Sequence, residues 1–146
     1  VEAVPGEYCA ITRAWSAGDV VELEIPMAAR LLEANPFVEE TLNQVAVQRG
    51  PVVYCLESAD LPDGVGVLEI ALPADTALEP RIDARLLGER VAVLEGPAQR
   101  IPQGEWPRQL YRAVQKPEAE EITLRLVPYY AWGNRAEGEM TVWMRR

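Results

Sequence analysis

Residues 121–128 read EITLRLVP, with Ile122, Leu124 and Leu126 recurring at every second position. A period of two marks a strand with one face buried. Residues 20–26, VVELEIP, repeat the pattern, with Val21, Leu23 and Ile25 on one face and Glu22 and Glu24 on the other. Tyr8–Trp15 lies just upstream, and the turn Ser16-Ala17-Gly18-Asp19 joins the two stretches. Together they predict a β-hairpin. Residues 27–34 hold helix formers but are too few to stand as a helix, and Pro36 closes them. They read as irregular, or as a strand resumed after a bulge.

Further strands are expected at 45–48, 52–56, 67–72, 78–82 and 91–94, then at 110–114 and 140–144. Arg49-Gly50-Pro51 forms a bend between two of them. Residues 96–107 carry three prolines and two glycines and predict a long loop. The cluster Asp60, Pro62, Asp63, Gly64 and Gly66 marks an internal boundary near 58–66. On that reading residues 1–57 end a first sandwich and 58–146 form a second. About nine short strands separated by turn residues, with no amphipathic helix, define the class: an all-β antiparallel sandwich, jelly-roll-like, with little or no helix.

Composition narrows the function. The chain has 146 residues, a net charge of −9 and no histidine. Without histidine there is no Ser-His-Asp triad, no imidazole base and no His-ligated zinc. The acidic balance disfavours nucleic acid and anionic membranes as partners. No apolar run reaches the ~18–20 residues of a membrane helix. The chain opens at Val1 in mid-pattern, without the basic and apolar regions of a signal peptide, and reads as a piece of a longer protein. A bacterial cytoplasm is the expected setting. The excess acid lies in residues 1–73, which hold 12 acidic and 3 basic side chains, whereas 74–146 hold 11 of each. Cys9 and Cys55 lack metal spacing and read as two buried free thiols.

Carboxylate neighbours are plentiful: Glu22/Glu24, Glu39-Glu40 and Glu120-Glu121. Glycosidase chemistry needs two carboxyls facing each other across a sugar, about 5–9.5 Å apart. Sequence neighbours do not supply that, so these pairs read as solvated faces. Asp60 and Asp63 are a weak calcium pair without the alternation of a dedicated loop. Gly64-Val65-Gly66 lacks the third glycine and following helix of a phosphate loop.

The aromatic residues offer the one candidate binding surface. Tyr129, Tyr130 and Trp132 stand beside Asn134 and Arg135, and Trp106 lies in the proline-rich loop. Aromatic faces flanked by polar groups hold sugar rings. The same run closes a core equally well, and the favoured reading is structural, with Trp132 buried.

Three stretches then resemble glycoside hydrolase family 127. They are Arg13-Ala14-Trp15 with Gly18–Leu23 and Pro26-Met27, VAVQRGPVVYCLE at 45–57, and PYYAWGNRAEGEMTVW at 128–143. Residues 58–120 are less distinctive. The resemblance implies a β-L-arabinofuranosidase-like parent in which an α/α barrel precedes β-sandwich domains. It implies that a zinc-bound cysteine nucleophile and a glutamate acid/base belong to that barrel. Neither Cys9 nor Cys55 matches the catalytic cysteine motif, so no catalytic residue and no metal ligand is assigned here, and the chain itself has no cofactor. The expected role is a non-catalytic accessory region that supports or docks on the barrel and forms a homodimer. The alternative is a carbohydrate-binding module using Trp106, Tyr129, Tyr130, Trp132, Asn134 and Arg135.

Overall fold

The computed structural model describes residues 2–106 and 108–146. Its strands are β1 (Ala29–Leu32), β2 (Gln44–Arg49), β3 (Val52–Glu57), β4 (Ile70–Ala71), β5 (Glu79–Asp83), β6 (Val91–Arg100), β7 (Glu120–Pro128), β8 (Met140–Thr141) and β9 (Met144–Arg145). The fold is all-β and sandwich-like, with helix confined to single 3-10 turns.

Two strands hold the layers together by changing partners along their length. In β7, Glu120–Leu126 pair with β6, and Val127 and Pro128 pair with β3. In β2, Gln44 and Val45 pair with β9, and the rest pairs with β1 and β3. Strands that cross from one sheet to the other make the corners of a sandwich. The pairing also closes, since β2 joins both β3 and β9 and the path runs on through β4, β6 and β7 back to β3. A closed path leaves few open edges.

The alternation of β7 sorts its residues as expected. Leu124 and Leu126 are fully buried and pack with Val47, Tyr54, Leu56, Ile70, Leu72 and Leu94 in the main core. Val127, of opposite parity, enters a second cluster with Cys55, Val91, Val93 and Ala131. The end of β7 is therefore buried on both faces. Strands β1–β3, ahead of the 58–66 loop, share this sheet and core with the strands behind it.

Several elements differ from the sequence reading. The Tyr8–Pro26 hairpin does not form: no strand lies between residues 2 and 28. Its turn is present, with the Asp19 N–H donating to Ser16 O at 3.1 Å and the Ser16 N–H to Asp19 Oδ2 at 2.8 Å. The ladder is missing because Val21, Leu23 and Ile25 remain exposed, and a two-stranded ribbon with no surface to lie on is marginal in water. The resumed strand after residue 27 does form, as β1. Residues 96–100 belong to β6 rather than to a loop. Gly96 is required there, because a Cβ would sit 2.3 Å from Ala77 O. Pro97 falls between the end of the β5 pairing at Glu95 and the start of the β4 pairing at Gln99, where a missing N–H is tolerated. Pro107, at the end of the expected loop, lies outside the described residues.

The expected strand at 67–72 is mostly a 3-10 turn, Val67–Glu69, leading into the two-residue β4. The 110–114 stretch is an exposed loop, not a strand, and Leu110, Tyr111 and Val114 face solvent. The closing 140–144 strand is split: β8 pairs with β3, and β9 pairs with β2 and β4.

The thiols also divide. Cys55 is buried and donates to Val127 O at 3.6 Å, whereas Cys9 is exposed, so only one of the expected two is buried. Burial, and secondarily the charge of Glu57, pushes the Cys55 thiol up to about 12. Thiolate is the reactive form. The expected result with an aromatic disulfide reagent at neutral pH is therefore one thiol modified at once, at Cys9. The second should appear only after denaturant is added. Rapid modification of both in native protein would contradict the buried placement of Cys55.

Candidate functional site

The strongest concentration of chemistry lies where β3, β5 and β7 meet the aromatic turn. Cys55 and Glu57 share the outer face of β3, and Arg125 and Val127 share the outer face of β7. The apolar members of these pairs enter the second cluster. The charged members, one step further along, meet each other and the loop ends.

Arg135 reaches into this junction. Its Nη1 donates to Asp60 Oδ1 at 2.7 Å, and its Nη2 donates to both Asp60 and Glu57. Arg125 donates to Asp60 Oδ1 at 3.3 Å and also to Asp83. The second oxygen of Glu57 accepts from the Gly133 N–H at 2.7 Å. Gly133 holds a positive φ of 73° to aim that N–H. Glu57 and Asp60 are buried, so the two guanidinium groups and one backbone donor stand in for the water they lose. The Arg135 guanidinium is held protonated beyond its ordinary range, first by its hydrogen bond to Asp60 and then by Glu57. Asp83 lies below the usual aspartate range, first because the Arg85 N–H donates to it and then through Arg125. Asp83 therefore contributes fully above the ordinary aspartate pKa of ~3.9, and that contribution fades as pH falls through its lowered value.

This network pins the 129–135 turn to the strands, and two candidate sugar-binding side chains are spent on it. Arg135 is engaged as described. Asn134 Nδ2 donates to Ala131 O and Trp132 O, both at 3.1 Å, and holds the turn itself. Asp60 is likewise unavailable to calcium, since both arginines neutralise it. Sequence reading missed Glu57 and Arg125 altogether. The available signal was a charge at the end of the apolar run VVYCL and another inside the alternating run of β7.

Tyr129, Tyr130 and Trp132 differ from the core placement favoured by the sequence. They are 48%, 62% and 43% exposed, and Ala131 is the residue that enters the core. The reason lies in the 3-10 turn Tyr129–Ala131, which aims one small side chain inward and leaves the large ones at the rim. Trp132 borders a cavity of about 310 Å³ together with Glu57, Ser58, Glu137 and Glu139. Trp106 is elsewhere. It lines a cavity shared with Glu120, the first residue of β7, whereas Tyr129 follows the last. Roughly 25 Å of extended strand separates the two ends, so the four aromatic residues do not form one platform.

The paired carboxylates Glu22/Glu24, Glu39-Glu40 and Glu120-Glu121 are exposed, as expected of solvated faces. No group of three or more His, Cys, Asp or Glu that could hold a metal is found among the described residues. The donor set does not fit the zinc implied for the parent, because a zinc site gathers three or four ligating side chains and neither Cys9 nor Cys55 belongs to such a group among the described residues. No helix of the structure is long and apolar enough to cross a membrane.

These features define a β-sandwich domain whose most elaborate polar cluster serves to fix a loop. The family model described as the glycoside hydrolase family 127 C-terminal domain matches residues 29–145, from the first residue of β1 through β9, and the chain belongs to that family. It is 42% identical over 137 residues to a non-reducing end β-L-arabinofuranosidase of Bifidobacterium longum subsp. longum. That match covers 90% of the chain and 20% of the relative. Among solved structures it is similar to a family 127 β-L-arabinofuranosidase from Geobacillus stearothermophilus T6, with 41% identity and a TM-score of 0.70 over 82% of this chain and 18% of the other. It is also similar to a protein described as a glycoside hydrolase, with 47% identity and a TM-score of 0.74 over 83% of this chain and 20% of the other. The chain thus spans about a fifth of the length of these relatives.

Proposed function

We propose that this chain is the non-catalytic accessory β-domain of a β-L-arabinofuranosidase-like glycoside hydrolase, docked on the catalytic α/α barrel of its parent in the bacterial cytoplasm. The observation that carries the reading is the match of the C-terminal domain alone, across a fifth of an arabinofuranosidase. The chemistry of the chain agrees with it. Glu57, a buried carboxylate, has one oxygen held by Arg135 and the other by the Gly133 N–H, an arrangement that serves to fix the turn. The zinc and the cysteine nucleophile of the resemblance belong to the barrel.

Docking has a surface available. Residues 2–28 expose Tyr8, Trp15, Val20, Val21, Leu23 and Ile25 along a segment without ladder bonds. Apolar side chains and unpaired backbone groups in one stretch favour a partner. That partner is the barrel side of the parent, or the same stretch of a second copy in a two-fold dimer. A second reading, carbohydrate binding at the aromatic turn, is favoured by the exposed faces of Tyr129, Tyr130 and Trp132.

The accessory reading is tested with the pure chain. It should show no turnover of aryl arabinofuranosides with or without added zinc, and sedimentation across a tenfold concentration range should show self-association. Zinc-dependent hydrolysis by the chain would sink the accessory role. A monomer at every concentration would leave the barrel as the partner of residues 2–28.

A further inference from the structure

Strands β6 and β7 are neighbours whose pairing ends at Arg100↔Glu120. A hairpin of that register closes with two to five residues. Here residues 101–119 intervene. Connections of this length are uncommon in small domains unless they bind something or serve as linkers. This one is organised. Arg112 donates to Gln103 O at 2.8 Å and to Glu105 O at 2.9 Å, and its guanidinium lies 4.0 Å over the Trp106 ring. The Ile101 N–H ties the start of the loop to Glu69 O at 2.7 Å.

Folded this way, the loop borders a cavity of about 530 Å³, within the range of small-ligand sites. Its charge runs against that of the chain. Arg112, Lys116 and Arg145 all line it, and among the described residues none of the three forms an ion pair. Of the two carboxylates present, Glu120 is already bridged to Arg100 at 3.3 Å. The other, Glu118, is not bridged among the described residues, and Arg112 is committed to the loop, so a protein of net charge −9 presents a local excess of positive charge here, with Lys116 and Arg145 available beside a half-exposed indole. Cations so placed attract an anion, and arginine favours a carboxylate in particular. The indole and the flanking glutamine amides suit a ring bearing hydroxyl groups.

We propose that the cleft under the 101–119 loop binds a sugar carrying a carboxylate, a uronate, with its acid group between Lys116 and Arg145 and its ring beside Trp106, whose indole Arg112 holds in place. This gives the accessory domain a ligand of its own, at the opposite end of β7 from the aromatic turn. It goes beyond the accessory role, which is read by turnover rather than by binding.

The test is a chemical-shift titration of the full chain with galacturonate, arabinose and inorganic phosphate at low salt. Galacturonate should shift the Trp106 indole N–H and saturate about tenfold tighter than arabinose. The preference should fade in high salt, as an exposed charge contact does. Lys116→Gln, alone or with Arg145→Gln, should remove the preference and leave the spectrum of the core unchanged. The single loop substitution keeps the test valid if β9 does not tolerate the double one. Trp106→Ala should weaken galacturonate without changing phosphate. Equal affinity for arabinose and galacturonate would overturn the proposal. So would phosphate shifting the Trp106 signal as strongly as galacturonate, or a galacturonate preference that survives Lys116→Gln with Arg145→Gln. An absence of saturable binding would remove the ligand and leave the accessory role standing.

Discussion

Replacing Arg135 by alanine is expected to cost about 3–5 kcal/mol of folding stability, as breaking a buried ion pair from one side does. The loss comes less from the attraction removed than from what stays behind. Glu57 would keep only the Gly133 N–H, and Asp60 only the 3.3 Å contact from Arg125. Both carboxylate side chains are about 5–6% exposed, so little water is at hand to replace the lost donor. Lysine should not restore the loss, since one ammonium cannot reproduce a planar fork that serves two carboxylates. Adding Glu57→Gln to Arg135→Ala should recover part of it by removing an orphaned charge. Urea unfolding of the three variants beside the parent chain measures all of this. A cost below about 1 kcal/mol for Arg135→Ala, in the range of exposed ion pairs, would show that the cluster is solvated and does not hold the turn.

Leu124→Ala is expected to cost about 2–5 kcal/mol, the range for emptying a buried leucine position. Leu124 is fully buried, lies in the middle of β7 opposite Gly96, and packs in the main core. The β6–β7 ladder is continuous on both sides of it and its core neighbours are themselves buried, so the site has little freedom to collapse. Trp132→Ala, although it removes a larger side chain, should cost only about 1 kcal/mol, because a half-exposed ring loses less on truncation. Denaturant midpoints of the two variants give the order directly. The reverse order would mean that the aromatic turn folds into the core and that Trp132 has no face left for a ligand.

The reading of β7 rested on a local property. Alternation with a period of two is written in side-chain polarity, and burial of Leu124 and Leu126 follows wherever a sheet can cover that face. The same alternation at 20–26 did not make a strand, although its pattern is as regular. A strand needs partners for its N–H and C=O groups, and nothing in Val21, Leu23 or Ile25 states whether a neighbour exists. Gly96 and Pro97 misled in the opposite direction. Both read as loop residues, yet the close approach of Ala77 O and the gap between β4 and β5 make a strand of them.

The aromatic run at 129–132 was legible as a feature but not in its orientation, which a single 3-10 turn reversed by sending Ala131 inward. The ion cluster was legible in neither respect. Glu57, Asp60, Asp83, Arg125 and Arg135 are up to 78 residues apart, and no spacing rule connects them. The sequence alone determined the all-β class, the buried face of β7, the absence of histidine chemistry and the resemblance to family 127. These depend on residue type and near-neighbour order. Tertiary structure alone decided which strands close the sandwich, that residues 2–26 form no strand in it, and that Arg135 pairs with Glu57 and Asp60. Those outcomes depend on what is brought together across long stretches of chain, and there burial sets the strength of each charge and the use of each aromatic face.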